Sequence, residues 1–141
     1  MFPYAVLAKD KSWQPGPYEG VELMILHKHE STGGVVVLRK FKAGCTIPAH
    51  THPHANEWAY LLSGDWEEST VTYTSGTLFY APKGTRHGPH VARTEVISLT
   101  IFDGSPVFAS MISGMTSQAG SRWEGSASGV SKPCSGIVTF A

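Results

Sequence analysis

The sequence predicts an all-β domain, built as a sandwich or a barrel. Between Gly20 and Phe108, apolar residues form short runs that are rich in Val, Ile, Tyr and Phe. Turn-forming clusters such as Ser63-Gly64-Asp65 and Pro82-Lys83-Gly84 separate these runs. The chain also holds 15 Gly and 9 Pro, which is too many chain-breaking residues for a helical bundle. Short strands joined by frequent turns are typical of β-sandwiches and β-barrels.

Six runs have the length and composition of strands. They cover residues 21–26, 35–41, 58–62, 71–73, 78–81 and 96–102. Residues 55–62 would also suit two turns of helix ended by Ser63 and Gly64. These eight residues are short for a helix and have strands on both sides, so we expect a strand there too.

The two ends of the chain differ from the middle. The first 20 residues carry three prolines and no clear period, so we expect an irregular arm with a short edge strand. Residues 113–141 contain seven Ser and five Gly, a composition typical of linkers. We therefore expect one domain over residues 1–112, and a tail over 113–141 that packs on the barrel through Trp123 and residues 137–140 or extends from it.

Charge and composition exclude several classes of partner. Eleven basic residues balance eleven acidic ones, so no strong field attracts nucleic acid or a membrane surface. Charged residues make up only 16% of the chain, which favours a surface partly covered in a homodimer. No apolar run has the length of a signal or membrane segment, and Cys45 and Cys134 fit no disulfide or metal-binding pattern. We expect a cytoplasmic protein with free thiols, and Cys45 as a small buried residue.

Histidine is unevenly distributed, since five of the seven lie between positions 50 and 90. His50 and His52 would leave the same face of a strand, close enough to bind one metal ion. Glu57 and His87 are available as further ligands. Three imidazoles and a carboxylate suit a first-row divalent metal with open coordination positions, whereas a closed structural zinc site most often uses cysteine.

Two motifs around these residues resemble the conserved motifs of the cupin superfamily. They read Gly44-x5-His50-x-His52-x4-Glu57-x6-Gly64 and Gly76-x5-Pro82-x-Gly84-x2-His87. The resemblance implies a jelly-roll β-barrel, also called a double-stranded β-helix, with the metal ligands His50, His52, Glu57 and His87 pointing inward. One position departs from the pattern, because the second motif usually ends in Asn where this chain has Val91.

Other residues near the motifs are candidates for the site. His54 and His90 lie close to the ligands along the chain and are candidate acid–base groups. Among the aromatic residues, most of which a small barrel needs for its core, three are candidates for pocket lining: Tyr60, Tyr80 and Phe102. His27, His29 and Arg86 are expected at the surface.

The sequence is similar to two kinds of small cupin, the acetylacetone-cleaving dioxygenases and the sensor domain of zinc anti-sigma factors. We expect an Fe(II) dioxygenase that cleaves a small β-diketone, carbonyl or aromatic substrate with O2. Against this, the three-histidine dioxygenases need no carboxylate ligand, and Glu57 is present here. One alternative is a non-catalytic metal-binding sensor, although this sequence has no counterpart of the helical zinc-binding domain of the anti-sigma factors. The other alternative is an isomerase or lyase that uses Zn, Mn or Ni.

Overall fold

The computed structural model describes residues 1–107 and confirms the all-β prediction. A short 3₁₀ helix at Ala8–Asp10 precedes ten strands. The strands are β1 (Gln14–Pro15), β2 (Val21–His29), β3 (Gly34–Phe41), β4 (Thr46–Ile47), β5 (Glu57–Ser63), β6 (Trp66–Glu68), β7 (Val71–Tyr73), β8 (Leu78–Ala81), β9 (His90–Ala92) and β10 (Val96–Phe102). Within this part of the chain, no helix is long and apolar enough to cross a membrane.

The strands form two antiparallel sheets that enclose one core. The six-stranded sheet has the order β1-β2-β3-β10-β5-β8, and the four-stranded sheet has the order β4-β9-β6-β7. Both sheets contribute to one cluster of buried apolar side chains, in which the rings of Phe41 and Trp66 lie 4.7 Å apart across the core. This arrangement is that of a jelly-roll cupin barrel, as the sequence motifs implied.

All six predicted strands are present, and the ambiguous segment at residues 55–62 contributes strand β5 rather than a helix. The arm holds the expected edge strand, β1, which pairs with β2. Three strands were not predicted from the sequence: β4, β6 and β9. Each has only two or three residues, too few to show a period of two, and the pairings of β9 with β4 and β6 join residues that are far apart in the chain.

Local details agree with the motif glycines and the buried thiol. Gly64 has φ of 88°, and a side chain there would collide with the backbone carbonyl of Glu95, so the turn between β5 and β6 requires glycine. Cys45 is buried in the core and its thiol lies 3.4 Å from the carbonyl of Glu19. The predicted domain boundary at residue 112, the tail over 113–141 and Cys134 lie outside the described residues.

Candidate metal centre

The barrel brings the two histidine motifs together. His50 and His87 form an isolated antiparallel bridge, with N···O distances of 2.9 and 3.0 Å between their backbones. The backbone N–H of Gly84 donates to the carbonyl of His52 at 2.9 Å. Glu57, the first residue of β5, then faces the same space. The backbone pairing between the two motifs therefore places all four predicted ligands side by side.

The four side chains converge on one point in the interior. One ligand atom from each of them lies within 4.8 Å of the other three: His50, His52, Glu57 and His87. The ring of His50 lies 4.9 Å from that of His52 and 4.4 Å from that of His87, measured between centroids. His50, His52 and Glu57 are buried, and His87 is partly buried. A cluster of this kind can hold a divalent metal ion.

Backbone carbonyls orient two of the rings. The Nδ1 of His50 lies 2.7 Å from the carbonyl oxygen of Pro48, and that of His87 lies 3.1 Å from the carbonyl oxygen of Thr85. When each Nδ1–H donates to its carbonyl, Nε2 is left as a lone-pair donor, the tautomer that a metal-binding histidine needs. The Nε2 atoms of His52 and His87 lie 3.0 and 3.2 Å from Oε2 of Glu57. The donor set of three nitrogens and one oxygen fits a first-row divalent metal.

Arg39, which the sequence motifs do not include, binds the other oxygen of the carboxylate. Its Nη2 donates to Oε1 of Glu57 at 2.8 Å, and both side chains are largely buried. In β3, inward-facing positions alternate through Val35, Val37, Arg39 and Phe41. A charge at an inward position of an otherwise apolar strand was the signal that could have revealed this residue.

The electrostatics of the cluster follow from burial and pairing. Burial by itself would raise the pKa of the Glu57 carboxyl, but Arg39 and the nearby imidazoles of His52 and His87 outweigh it and hold that pKa well below its usual range. Burial lowers the pKa of His50 to about 3, and the neighbouring rings of His87 and His52 add to the effect. Burial also acts to lower the pKa of His87, yet Glu57 reverses this and the net shift is upward. The site thus holds an ionised carboxylate and a neutral His50 at neutral pH.

A second polar group, Glu68 with His90, lies in the same cavity. The rings of His90 and His87 are 5.7 Å apart, and Nδ1 of His90 lies 3.9 Å from Oε2 of Glu68. The backbone N–H of Gly88 donates to Oε1 of Glu68 at 3.0 Å, and the indole of Trp66 lies against His90 at 5.1 Å. Burial lowers the pKa of His90 to about 4, although Glu68 opposes this. The sequence pointed to His90 but gave no sign of Glu68.

A cavity of about 170 Å³ lies between these polar groups, which form one side of its wall, and the apolar side chains of the barrel interior. Phe102 and Tyr80 both border it, but the Tyr80 side chain lies mainly on the outer face of the sheet, where it is exposed and stacks on Trp58 at 5.2 Å. Pockets for drug-sized ligands measure roughly 300–1,000 Å³, so this cavity suits a smaller molecule.

Two of the predicted site residues lie elsewhere. Tyr60 does not border the cavity, because it alternates with inward-facing Ala59 and Leu61 and so lies on the outer face of β5. His54 is exposed in the turn before β5 and does not border the cavity either. These positions correct the expectation that Tyr60 lines the pocket and that His54 acts beside the ligands. His27, His29 and Arg86 are exposed, as expected.

A family model for the ChrR cupin-like domain matches residues 3–105, which includes all four residues of the candidate metal centre. The chain belongs to the cupin superfamily. Its membership in the ChrR cupin-like family agrees with the two-sheet barrel and with both histidine motifs. No curated protein matches the sequence.

Solved structures of other cupins share the fold at low sequence identity. An RmlC-like cupin from Ralstonia eutropha JMP134 is 22% identical, with a TM-score of 0.66 over 76% of this chain and 72% of that one. An acetylacetone dioxygenase from Acinetobacter johnsonii is 16% identical, with a TM-score of 0.65 over 84% and 83%. A chain of the Rhodobacter sphaeroides complex of SigE with the anti-sigma ChrR is 24% identical, with a TM-score of 0.55 over 67% of this chain and 51% of that one.

Proposed function

We propose that this cupin is a metal-dependent enzyme, an Fe(II) dioxygenase that cleaves a small β-diketone, carbonyl or aromatic substrate. The observation that carries the proposal is the position of the four-ligand cluster at the wall of a small, mainly apolar cavity. A ferrous ion held by His50, His52, Glu57 and His87 would supply coordination of the substrate's oxygen atoms and reaction with dioxygen.

Arg39 fixes the carboxylate in this proposal. Because its guanidinium holds Oε1 of Glu57 at 2.8 Å, only Oε2 is left to face the imidazoles. The paired positive charge also favours the ionised carboxylate, the form that can act as a ligand, because it helps to hold the pKa of Glu57 well below its usual range. Arg39 is a positioning residue that sets which oxygen the cluster uses.

His90 and Glu68 are the candidates for moving a proton. His90 is neutral at neutral pH, since burial lowers its pKa to about 4, and its ring lies next to His87 at the cavity wall. A neutral imidazole can accept the acidic proton that a β-diketone carries between its two carbonyls. The carboxylate of Glu68, 3.9 Å from Nδ1, would stabilise the resulting imidazolium.

The remaining wall selects the substrate by size and polarity. Val35, Val37, Ala59, Leu61 and Phe102 line the cavity, and apolar side chains of this kind disfavour water beside a bound substrate. A flat molecule with two neighbouring oxygen atoms and short apolar ends would match this lining. Large or strongly polar molecules such as sugars would leave hydroxyl groups without partners against these side chains.

The test is anaerobic purification followed by metal analysis, reconstitution with Fe(II) and addition of nitric oxide. We expect one iron per chain, a high-spin nitrosyl signal, and oxygen uptake with at least one member of a panel of β-diketones and catechol-like compounds. In the variant His52→Ala, metal affinity should fall by at least about 100-fold, because a first-row metal loses a direct ligand.

His27→Ala is the matched control, since His27 is an exposed histidine that is not part of the cluster, and its loss should leave metal content unchanged. A protein that binds no iron, or that binds it without a nitrosyl signal, would contradict the oxygenase proposal. Tight binding of zinc, manganese or nickel with turnover of an isomerase or lyase substrate would favour redox-inert chemistry at the same residues.

A second candidate is a metal-binding sensor module without turnover. The match to the ChrR cupin-like family favours it. The two candidates differ in one measurement, because a sensor would bind a small molecule in the cavity and consume neither that molecule nor oxygen across the same panel.

A further inference from the structure

Strand β2 changes its alternation part-way along. In its first half the odd-numbered residues point into the barrel, ending with Ile25, which borders the cavity. Strict alternation would then turn His27 inward and Lys28 outward. The pairing of β2 with β3 skips Leu26, however, so Ile25 and His27 lie opposite neighbouring residues of β3. Leu26 is therefore the extra residue of a β-bulge.

The bulge turns Lys28 toward the interior. Lys28 lies opposite Val35, which lines the cavity. Residues paired across antiparallel strands point to the same side, and Lys28 accordingly borders the cavity too, although its side chain is exposed. Ile25, just before the bulge, also borders the cavity and is 38% exposed. These two residues of β2 therefore lie where the cavity opens to solvent.

The N-terminal arm holds the bulge in place. The hydroxyl of Tyr4 donates to the carbonyl of Leu26 at 2.5 Å, and its ring lies edge-on against the ring of His27 at 5.0 Å. A bulge leaves its extra residue outside the regular ladder, and here the arm provides a hydrogen bond to that residue. Bulges often re-aim a side chain beside an active site, and the side chain that this one re-aims is Lys28.

Lys28 and the candidate metal centre lie at two ends of one row of inward-facing residues. The row crosses four strands through Lys28, Val35, Phe102 and Glu57, and all four border the cavity. Three strand spacings separate the ends of the row, or about 14 Å along the sheet. A small elongated molecule in the cavity can therefore contact the metal centre with one end and the lysine ammonium with the other.

The charged residues of the wall are divided between these two ends. Arg39, Glu57 and Glu68 lie at the metal-centre end, where Arg39 binds Glu57 at 2.8 Å and Glu68 accepts a hydrogen bond from the backbone N–H of Gly88. Lys28 is the charged residue of the wall at the opening. A cation at the mouth of a cavity with apolar walls attracts anions. The opening therefore favours a ligand whose outer end is negative.

We propose that Lys28 is a specificity-determining residue that binds a carboxylate at the outer end of the substrate, so that the site takes a small β-diketone acid in preference to a neutral diketone. The inference rests on the proposed function, since it takes the cavity as the substrate site and the cluster as the place where the two ketone oxygens bind. The carboxylate replaces one apolar end of the ligand. Its hydrogen bond with the ammonium is charge-assisted, and the flexible stem of lysine lets the ammonium follow it.

The test compares two probes of one shape. Succinylacetone is a β-diketone with a terminal carboxylate, and its neutral analogue carries an isopropyl group in place of the carboxylate. Isothermal titration calorimetry of the full chain, reconstituted with Fe(II) and kept free of oxygen, measures both dissociation constants without turnover. We expect succinylacetone to bind about 10-fold more tightly, and this ratio to shrink with added salt because the opening is exposed to solvent.

A charge series at one position isolates the lysine. Lys28→Met should lower the affinity ratio about 10-fold, Lys28→Arg should keep it near that of the wild type because the charge remains, and Lys28→Glu should reverse the preference. Lys40→Met is the matched control, since it removes the same charge from the outer face of β3, where Lys40 pairs with Glu22. Its ratio should stay within about twofold of the wild type. Circular dichroism checks that each variant is folded.

Three results would overturn the proposal. They are equal binding of the two probes by the wild type, a ratio that both Lys28→Met and Lys28→Glu leave unchanged, and no binding of succinylacetone. Oxygen uptake separates these results from the enzyme proposal. A preference for succinylacetone without oxygen uptake would retain the role of Lys28 and remove the dioxygenase, whereas oxygen uptake with neutral diketones and no preference would do the reverse.

Discussion

Near the candidate metal centre, the two faces of the six-stranded sheet depart from the usual distribution of polarity. Strand β5 shows this in three residues: Glu57 is ionised and faces the interior with 6% exposure, whereas Trp58 and Tyr60 are aromatic and face outward. A buried charge is stable only with partners, and Arg39, His52 and His87 provide them. Rows of exposed aromatic side chains are uncommon on soluble proteins and often mark interaction sites.

Strand β3 allows the same comparison between its two faces, because it carries two adjacent basic residues. Arg39 points inward to Glu57, and Lys40 points outward to Glu22, both at 2.8 Å. The pairs have the same length but different surroundings, because the inner one is buried and Glu22 is half exposed. The difference teaches that distance alone does not rank these ion pairs; the water removed around them does.

The largest expected effect is therefore on the inner pair. Arg39→Met should lower the free energy of unfolding of the metal-free protein by about 3–5 kcal/mol, because it leaves the buried carboxylate of Glu57 without its positive partner. Urea denaturation monitored by tryptophan fluorescence measures this change. The double variant Arg39→Met with Glu57→Gln should recover much of the loss, since it removes the stranded charge.

Lys40→Met is the control for that experiment, and we expect a change below about 1 kcal/mol because its partner is exposed. Equal losses in the two single variants would show that the inner pair gains nothing from its burial, and would remove the basis for treating Arg39 as the residue that positions Glu57.

A smaller effect separates two adjacent leucines at the end of β5. Leu61 is 2% exposed and lines the cavity, and Leu62 is 47% exposed on the other side. Leu61→Ala should cost about 2–5 kcal/mol through the lost burial and the enlarged cavity. Leu62→Ala should cost less than about 1 kcal/mol. Thermal or urea unfolding checks both, and similar values would mean that Leu62 is buried in solution by a partner.

The third prediction concerns how the stability of the protein changes with pH, which depends on titratable groups buried in the interior. The folded-state pKa values of His50 and His90, about 3 and about 4, lie below the 6.5 of an unfolded histidine. Between these values the unfolded chain binds more protons, so stability falls as the pH falls below about 6.5. Glu57 adds to the loss at lower pH, since its pKa is depressed and its contribution vanishes as it protonates.

His87 acts in the opposite direction, because its pKa is raised in the folded protein. Its contribution to stability is complete below pH 6.5 and is lost as the pH rises through its folded-state pKa. In the metal-free protein, we expect stability to fall by on the order of 2 kcal/mol per pH unit between pH 6 and 4.5, from two rings at about 1.4 each. His90→Phe should roughly halve this slope. A flat profile between these pH values would contradict the neutral, buried state of both rings.

Much of the site was predictable because its residues are close in the chain or follow fixed spacings. His50, His52, Glu57 and His87 were identified from two motifs, and the structure brings all four together. The pocket residues were harder to assign. Tyr60 was placed in the pocket because it is aromatic and near the motif, but strand alternation from Glu57 puts it on the other face. Counting in steps of two from the ligand would have excluded it.

Arg39 and Glu68 could not be linked to the site from the sequence. Arg39 reaches Glu57 across β10, which separates β3 from β5 in the sheet, and Glu68 meets His90 through the pairing of β6 with β9. These contacts join residues that are 18 and 22 positions apart in the chain, and no local pattern encodes which strands pair.

The sequence by itself determined the all-β class, most of the strands and the four candidate ligands, because alternation, turn residues and motif spacing are local properties. The tertiary structure alone decided that Arg39 holds the carboxylate, that Glu68 accompanies His90 and that Tyr60 and Leu78 belong to one exposed surface. The physical reason is that strand order and register are set by the packing of the whole core, and they determine which distant side chains share a face.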